Sequence, residues 1–139
     1  EDVDALLNGV TANLDALHKL NDEIPDKQLS DAMDRMEKAG RSIADTVART
    51  PDKARNVDRF ARYYLPEMVK LMGAYAELEK QGVKGDNAAQ IEADLRRNAD
   101  TTAAAFENLL DALYSAEAMD ISTDIEVLDS ILKSQNLTK

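Results

Sequence analysis

The 139-residue chain contains no cysteine and no tryptophan, and its only histidine is His18. The lack of cysteine excludes disulfides, thiolate metal sites and thiol catalysis. Aromatic residues make up only 4% of the chain, so the core has to be built from Leu, Ile, Val, Met and Ala, a composition that favours helices packed on helices. The sequence contains no run of about 18 apolar residues, which is the length that a membrane-spanning helix needs.

Acidic residues outnumber basic ones, 27 to 17, and the formal net charge is −10. An excess of negative charge argues against nucleic acid as a partner. The sequence also lacks nucleotide-binding loops, the GxSxG nucleophile elbow and HExxH zinc motifs. With one histidine and no cysteine, we predict neither a metal site nor a cofactor.

Apolar residues recur in steps of three and four along most of the chain, which is the period of amphipathic helices. No alternation of period two appears, so no strand is expected. The sequence therefore predicts one all-α domain over residues 1–139, an antiparallel up-down bundle of four long helices plus a short C-terminal helix. The predicted helices run over about Val3–Asn21, after Pro25, from Thr50-Pro51 to Gly82, from Asn87 and, as the short fifth, from Thr123.

The third and fourth predicted helices each carry a continuous stripe that is expected to face the core. The stripe of the third consists of Val57, Phe60, Tyr64, Met68, Leu71, Tyr75 and Leu78; that of the fourth consists of Ile91, Leu95, Asn98, Thr102, Phe106, Leu109 and Leu113.

Pro66 lies inside the third predicted helix, where a proline costs about 3 kcal/mol because it cannot donate a backbone hydrogen bond. A hairpin between the third and fourth helices places Pro66 opposite Thr102 and Lys70 opposite Asn98. In one interpretation, Thr102 or Asn98 supports a kink by hydrogen bonding to groups that Pro66 leaves free, and Thr102→Val and Asn98→Leu then destabilise the protein by about 1–3 kcal/mol. In the other interpretation, a small polar pocket is lined by Tyr63, Tyr64, Lys70, Asn98 and Thr102.

Three arginines, Arg55, Arg59 and Arg62, follow one another at helical spacing at the start of the third helix. A cluster of guanidinium groups near a helix N-terminus is a candidate anion-binding site, either for a phosphate or for an acidic partner. The alternative is a solvated face that balances the acidic helices around it.

The run Arg59-Phe60, Tyr63-Tyr64-Leu65-Pro66, Lys70-Leu71 and Tyr75 resembles the signature of the bacterial 5-bromo-4-chloroindolyl phosphate hydrolysis proteins, the XpaC-like family. AFENLLDALY at 105–114 and MDISTDIEVLDSIL at 119–132 extend the resemblance. The resemblance implies a bacterial protein with hydrophobic segments upstream of the helical domain. On that basis we expect this chain to be the soluble fragment of a longer protein, located in the cytoplasm at the inner face of the membrane. It also implies a protein partner, either of the toxic-anion-resistance type or a second copy.

Two functions follow from the sequence. Hydrolysis of a phosphate monoester needs strong charge neutralisation around a nucleophile, usually by two metal ions or an arginine cluster. The sequence shows neither a ligand constellation nor an activated nucleophile, so the favoured function is a noncatalytic helical interaction or scaffold domain. The alternative is a phosphomonoesterase that uses Arg55, Arg59 and Arg62, together with Tyr63.

Overall fold

The computed structural model describes residues 2–82 and 84–134, including their side chains except those of 116–125, 128 and 131–134. Four helices form the domain: α1 (Asp2–Glu23), α2 (Lys27–Arg49), α3 (Leu65–Gln81) and α4 (Asp86–Ser134). Between α2 and α3 the chain forms a 3₁₀ helix, Pro51–Val57, and a π turn, Phe60–Tyr64. The described residues contain no strand, so the predicted all-α class is confirmed.

The directions of the helices follow from the side chains that pair between them. Residue numbers on α2 fall as those on α1 rise, so α1 and α2 are antiparallel, and α3 and α4 are related in the same way. Numbers rise together between α2 and α4 and between α1 and α3, so these pairs are parallel. The pairs are Asp15–Arg41 and His18–Glu37, Phe60–Phe106 and Tyr75–Glu92, Asp26–Arg96 and Arg35–Glu107, and Glu23–Lys80. At the other end of α1, Val3 lines one depression together with Asp58, which precedes α3.

The order of the helices around the bundle differs from the simplest up-down arrangement. α2 packs against both α1 and α4, whereas α3 packs mainly against α1. The 3₁₀ helix contacts both α2 and α1, so it carries the chain across the end of the bundle from α2 to the far side of α1. α3 and α4 approach each other more loosely than α2 and α4 do, and the gap between them remains open along one side of the domain.

The separate short C-terminal helix is not found, because α4 continues without a break through Thr123 to Ser134. Its 49 residues correspond to about 74 Å, roughly twice the length of the 23-residue α2. The reason lies in the sequence: no glycine or proline occurs between residues 86 and 134, so the capping-box pattern at Thr123 has nothing to interrupt the helix before it. No helix in the described ranges is long and apolar enough to cross a membrane.

The π turn changes which residues face the core. It inserts one extra residue, so the buried position moves from Tyr64 to Leu65, and the residues that follow are rotated by about 100°. Tyr64 and Leu71, predicted as core residues, are 43% and 38% exposed. Leu65 and Met72 are fully buried in their place.

The inner face of α4 is also displaced from the predicted stripe. Ala99 and Ala103 are fully buried, whereas Ile91 is 49% exposed and Asn98 is exposed. The alanines give α4 a smooth surface, and this surface permits its close packing against α2. The predicted core positions Leu95, Phe106 and Leu113 are confirmed.

Gly40 on α2 allows α1 and α2 to pack closely. A Cβ at this position would lie 2.6 Å from Cδ2 of Leu14, which is itself only 1% exposed. Gly73 on α3 is the contrasting case, because a Cβ there would meet no atom of a neighbouring side chain or helix within 4 Å.

We predict that Gly40→Ala lowers the free energy of unfolding by about 1–3 kcal/mol, since overpacking Leu14 outweighs the better helix propensity of alanine. Gly73→Ala is the matched control and should raise it by about 0.5–1 kcal/mol, because propensity alone changes there. Urea unfolding followed by circular dichroism measures both. A stabilised Gly40→Ala variant would contradict the close packing of α1 and α2.

Asp26 links the start of α2 to α4. Its carboxylate caps α2 by accepting the backbone N–H of Leu29 at 2.9 Å, and it accepts the Arg96 guanidinium from α4 at 2.6 Å. Burial of Asp26 opposes ionisation. The hydrogen bonds from Arg96 and the Leu29 N–H outweigh this effect and hold the pKa of the carboxyl below its usual range.

Because the folded-state pKa of Asp26 is lowered, its contribution is fully present above the unfolded-state pKa of about 3.9 and is lost as the pH falls through the folded value. Asp26→Asn keeps a capping oxygen but loses the ion pair. We expect it to unfold about 1–2 kcal/mol more easily at pH 7, with the deficit shrinking below about pH 4. Urea titrations at several pH values measure this, with the exposed Asp31→Asn as control. A deficit independent of pH would contradict the role given to Arg96.

Candidate functional site

The three arginines are divided between two sides of α3. Arg55 and Arg62 border a shallow depression beside the start of α1, together with Val3 and Asp58. Arg62 is engaged there by Asp58, whose Oδ1 accepts its Nε–H at 2.6 Å. Arg59 lies on the other side, facing α4. The division arises because the 3₁₀ helix and the π turn do not have the 3.6-residue period that would align the three side chains.

Arg59 and two tyrosines form an exposed aromatic group at the start of α3. The Arg59 guanidinium lies 5.5 Å from the centre of the Tyr64 ring, a cation–π arrangement. The Tyr63 ring meets Tyr64 edge to face, with centroids 5.1 Å apart. In the described part of the chain no carboxylate pairs with Arg59.

The five residues of the predicted polar pocket do not meet at one place. Thr102 shares a cavity with Tyr64, whereas Asn98 lies in a separate depression beside Leu71. Lys70 and Tyr63 are exposed and line neither of these two hollows. Whether any of the five binds a ligand stays a prediction.

Pro66 is accommodated by the backbone. It is the second residue of α3 and directly follows the π turn, where the regular hydrogen-bond ladder of the helix is already interrupted. The π turn just before it is closed by the Leu65 N–H, which donates to the Phe60 carbonyl. Asn98 and Thr102 make no side-chain hydrogen bond to any described residue, so the structure contains no support for Pro66 from α4.

The expected cost of changing Asn98 and Thr102 is therefore smaller than the sequence alone predicts. Asn98 is exposed and Thr102 half-buried, so Asn98→Leu and Thr102→Val orphan no buried partner. We expect each to alter the free energy of unfolding by no more than about 0.5 kcal/mol. Thermal and urea unfolding of both variants and the parent measure this difference in the free energy of unfolding. If either variant lost 1 kcal/mol or more of its free energy of unfolding, the interpretation that Asn98 or Thr102 supports a kink at Pro66 would be correct after all.

Three hollows follow one another between α3 and α4 over about 30 Å, from Ala88 to Leu109 on α4, and we call this row of hollows the groove. We call it, with its rims, the α3–α4 face. Its exposed side chains come from both helices and include three large apolar ones. The residues that define the face are Arg59, Tyr64, Leu71, Glu79, Ile91 and Asn98.

The groove ends in a cavity of about 500 Å³, here called the aromatic cavity. Its floor is the edge-to-face pair Phe60–Phe106, with ring centroids 4.8 Å apart. Tyr64 and Arg59 form its rim. Its lining includes no carboxylate, although the chain carries 27 acidic residues, so this end of the face is apolar and mildly basic.

The opposite end of the face, near the turn that joins α3 to α4, carries two carboxylates, Glu79 and Glu92, and one lysine, Lys84. The buried Tyr75 hydroxyl lies within hydrogen-bond distance of Glu79 on α3 and Glu92 on α4. Burial raises the pKa of Tyr75 well above its usual range, and the two carboxylates raise it further, so the phenol stays protonated as a donor. Arg96 continues the chain of contacts by bridging Glu92 and Asp26. This network holds α3 to α4 beside the turn.

The groups usual in hydrolysis do not gather at Arg59. His18 is on α1 and pairs with Glu37 on α2 at 2.9 Å, and this hydrogen bond raises the pKa of His18 above its usual value. Among the described side chains, no three of His, Cys, Asp and Glu lie together as a potential metal site. The hydroxyl groups in the aromatic cavity, those of Tyr64, Thr101 and Thr102, have no general base among its lining residues.

The fold and the site define the class of the protein: it is an all-α domain with an open groove between two of its helices. The chain belongs to the 5-bromo-4-chloroindolyl phosphate hydrolysis protein family, whose model matches residues 2–128. The family prediction is thus confirmed, and the match includes α1 and α2, where the sequence resemblance was weakest. No curated protein and no solved structure matches the chain.

Sequence analysis missed the α3–α4 face because its apolar members look like core residues. Leu71 and Ile91 follow the helical period, and nothing local to them shows that the π turn and the alanines of α4 turn them outward. The Tyr75–Glu79 pair has a local signal, its spacing of four residues. The contact between Tyr75 and Glu92 depends on the α3–α4 hairpin, so it had no local signal in the sequence.

Proposed function

We propose that this domain is a noncatalytic interaction domain that binds a protein through the α3–α4 face. The observation that carries the proposal is the combination of an open groove with three large apolar side chains exposed along it: Tyr64, Leu71 and Ile91. An exposed apolar groove rimmed by polar residues is typical of protein-binding sites.

The polar residues of the face support recognition by a partner rather than a reaction. Arg59 lies over the Tyr64 ring and has no carboxylate partner among the described residues, and Arg and Tyr are two of the residue types enriched at the energetic centres of interfaces. Asn98, in the middle of the groove, has unused hydrogen-bonding groups. A partner that supplies an acid near Arg59 and an apolar side chain to the aromatic cavity would pair the free guanidinium and fill the cavity.

The alternative, hydrolysis of a phosphate monoester, is favoured by one observation, the position of Arg59 at the rim of a cavity of about 500 Å³, which has room for an aryl group. Three features weaken it. Arg55 and Arg62 face away from this cavity, Arg62 is paired with Asp58, and the cavity hydroxyls lack a base. The predicted toxic-anion-resistance partner and the predicted site at the inner face of the membrane stay predictions.

Hydrolysis is tested directly with the purified domain. We expect no turnover of 5-bromo-4-chloroindolyl phosphate or nitrophenyl phosphate above the rate in buffer, with magnesium, manganese or zinc added in turn, because no activated nucleophile lies beside Arg59. Absorbance or colour development over hours measures the rate.

Arg59→Ala and Lys38→Ala are the matched variants for this assay, since both remove an exposed cation and only the first borders the aromatic cavity. Turnover by the parent that Arg59→Ala abolishes and Lys38→Ala keeps would establish the hydrolase and overturn the interaction domain. Turnover unaffected by Arg59→Ala points to a contaminating phosphatase, which a second purification removes before the assay is repeated.

A further inference from the structure

We propose that the partner of the α3–α4 face is a second copy of this chain, bound antiparallel about a two-fold axis at Asn98. The inference rests on the proposed function and names its partner. What carries it is that the face is complementary to itself: one end offers an apolar cavity and Arg59, and the other offers the exposed Ile91 and the carboxylate of Glu79, with Lys84 and Glu92 beside it.

The register follows from the pairing of α3 with α4. Tyr75 lies beside Glu92, so six residues further along the antiparallel hairpin Val69 is level with Asn98. A two-fold axis at this level, lying in the plane of the face and perpendicular to the helices, stacks α4 on the partner's α4 and α3 on the partner's α3. An isologous interface of this kind uses the same patch twice.

The axis places Ile91 in the aromatic cavity of the other copy. Ile91 lies seven residues before Asn98 on α4, and Ala105, which lines the aromatic cavity, lies seven residues after it. Ile91 therefore faces the partner's Ala105, beside the partner's Phe60 and Tyr64. Symmetry repeats this contact, so two exposed isoleucines and both aromatic cavities lose contact with water together.

The same axis brings opposite charges together on α3. Arg59 lies ten residues before Val69 and Glu79 lies ten residues after it. Arg59 of each copy therefore faces the partner's Glu79, which is exposed and contacts Tyr75 within its own copy. A two-fold axis parallel to the helices would instead place the two aromatic cavities at the same level, so neither cavity would receive Ile91 and both Arg59 side chains would lie at one end of the interface, where like charges disfavour the pairing.

Self-association is measured by sedimentation equilibrium of the full chain over micromolar to millimolar concentrations. We expect a monomer–dimer equilibrium whose dissociation constant rises about 100-fold or more in Ile91→Glu, since a carboxylate would enter the aromatic cavity. Val127→Glu is the matched control, because Val127 is similarly exposed on α4 outside the face, and it should leave the constant unchanged. A parent that remains monomeric at about 1 mM overturns the proposal.

Charge reversal tests the register. Arg59→Glu should raise the dissociation constant roughly tenfold or more, and the double variant Arg59→Glu with Glu79→Arg should restore it to within a few-fold of the parent. A double variant as weak as Arg59→Glu alone overturns the antiparallel register. Circular dichroism confirms that each variant is folded.

The absence of cysteine allows the axis itself to be located. Asn98→Cys, treated with a short bis-maleimide, should give a covalent dimer quickly and almost completely. Lys19→Cys, exposed on α1, should react no faster than random collision allows. Equal rates for the two variants place the axis elsewhere and overturn the proposal. These failures are distinct from failure of the interaction domain, which is indicated by phosphatase turnover and not by a monomeric state.

Discussion

The π turn at Phe60–Tyr64 is the local constraint on which the α3–α4 face depends. Its extra residue buries Leu65 in place of Tyr64 and Met72 in place of Leu71. A regular helix through the same sequence would turn Tyr64 and Leu71 into the core and close the groove. The turn also precedes Pro66 directly, so the missing N–H of Pro66 falls where the regular hydrogen-bond ladder is already interrupted. π turns are frequent at functional sites, and here one determines which side chains are available to a partner.

The second constraint is the unequal packing of the helices. α4 packs closely on α2 through Ala99 and Ala103, and the Asp26–Arg96 pair links the start of α2 to α4. α3 packs on α1, so α3 and α4 are held together mainly by side chains at two levels, Phe60 with Phe106 and Tyr75 with Glu92. Between and around these contacts the groove stays open. A groove bridged only by side chains has room for an inserted side chain such as Ile91 of a second copy.

The family description names the hydrolysis of an indolyl phosphate, and the geometry bears on how such a phenotype could arise. A phosphoryl transition state needs several positive charges directed at one oxygen cluster. Here Arg59 is separated from Arg55 and Arg62 by the width of α3, and Arg62 is engaged by Asp58. The proposed interaction domain fits this distribution of charge better than a catalyst does.

The sequence by itself determined the helical class, the starts of α2 and α4 and the family, because apolar period, proline and glycine signals and motifs are all local. It also determined core positions where the period runs undisturbed, such as Leu95 and Phe106. Only the tertiary structure decided the rest. The 3₁₀ helix and the π turn changed the period between residues 51 and 64, which separated the three arginines and exposed Tyr64 and Leu71. The partners of Tyr75 and Asp26 lie 17 and 70 residues away, and contacts at such separations depend on how whole helices pack, which no local pattern encodes.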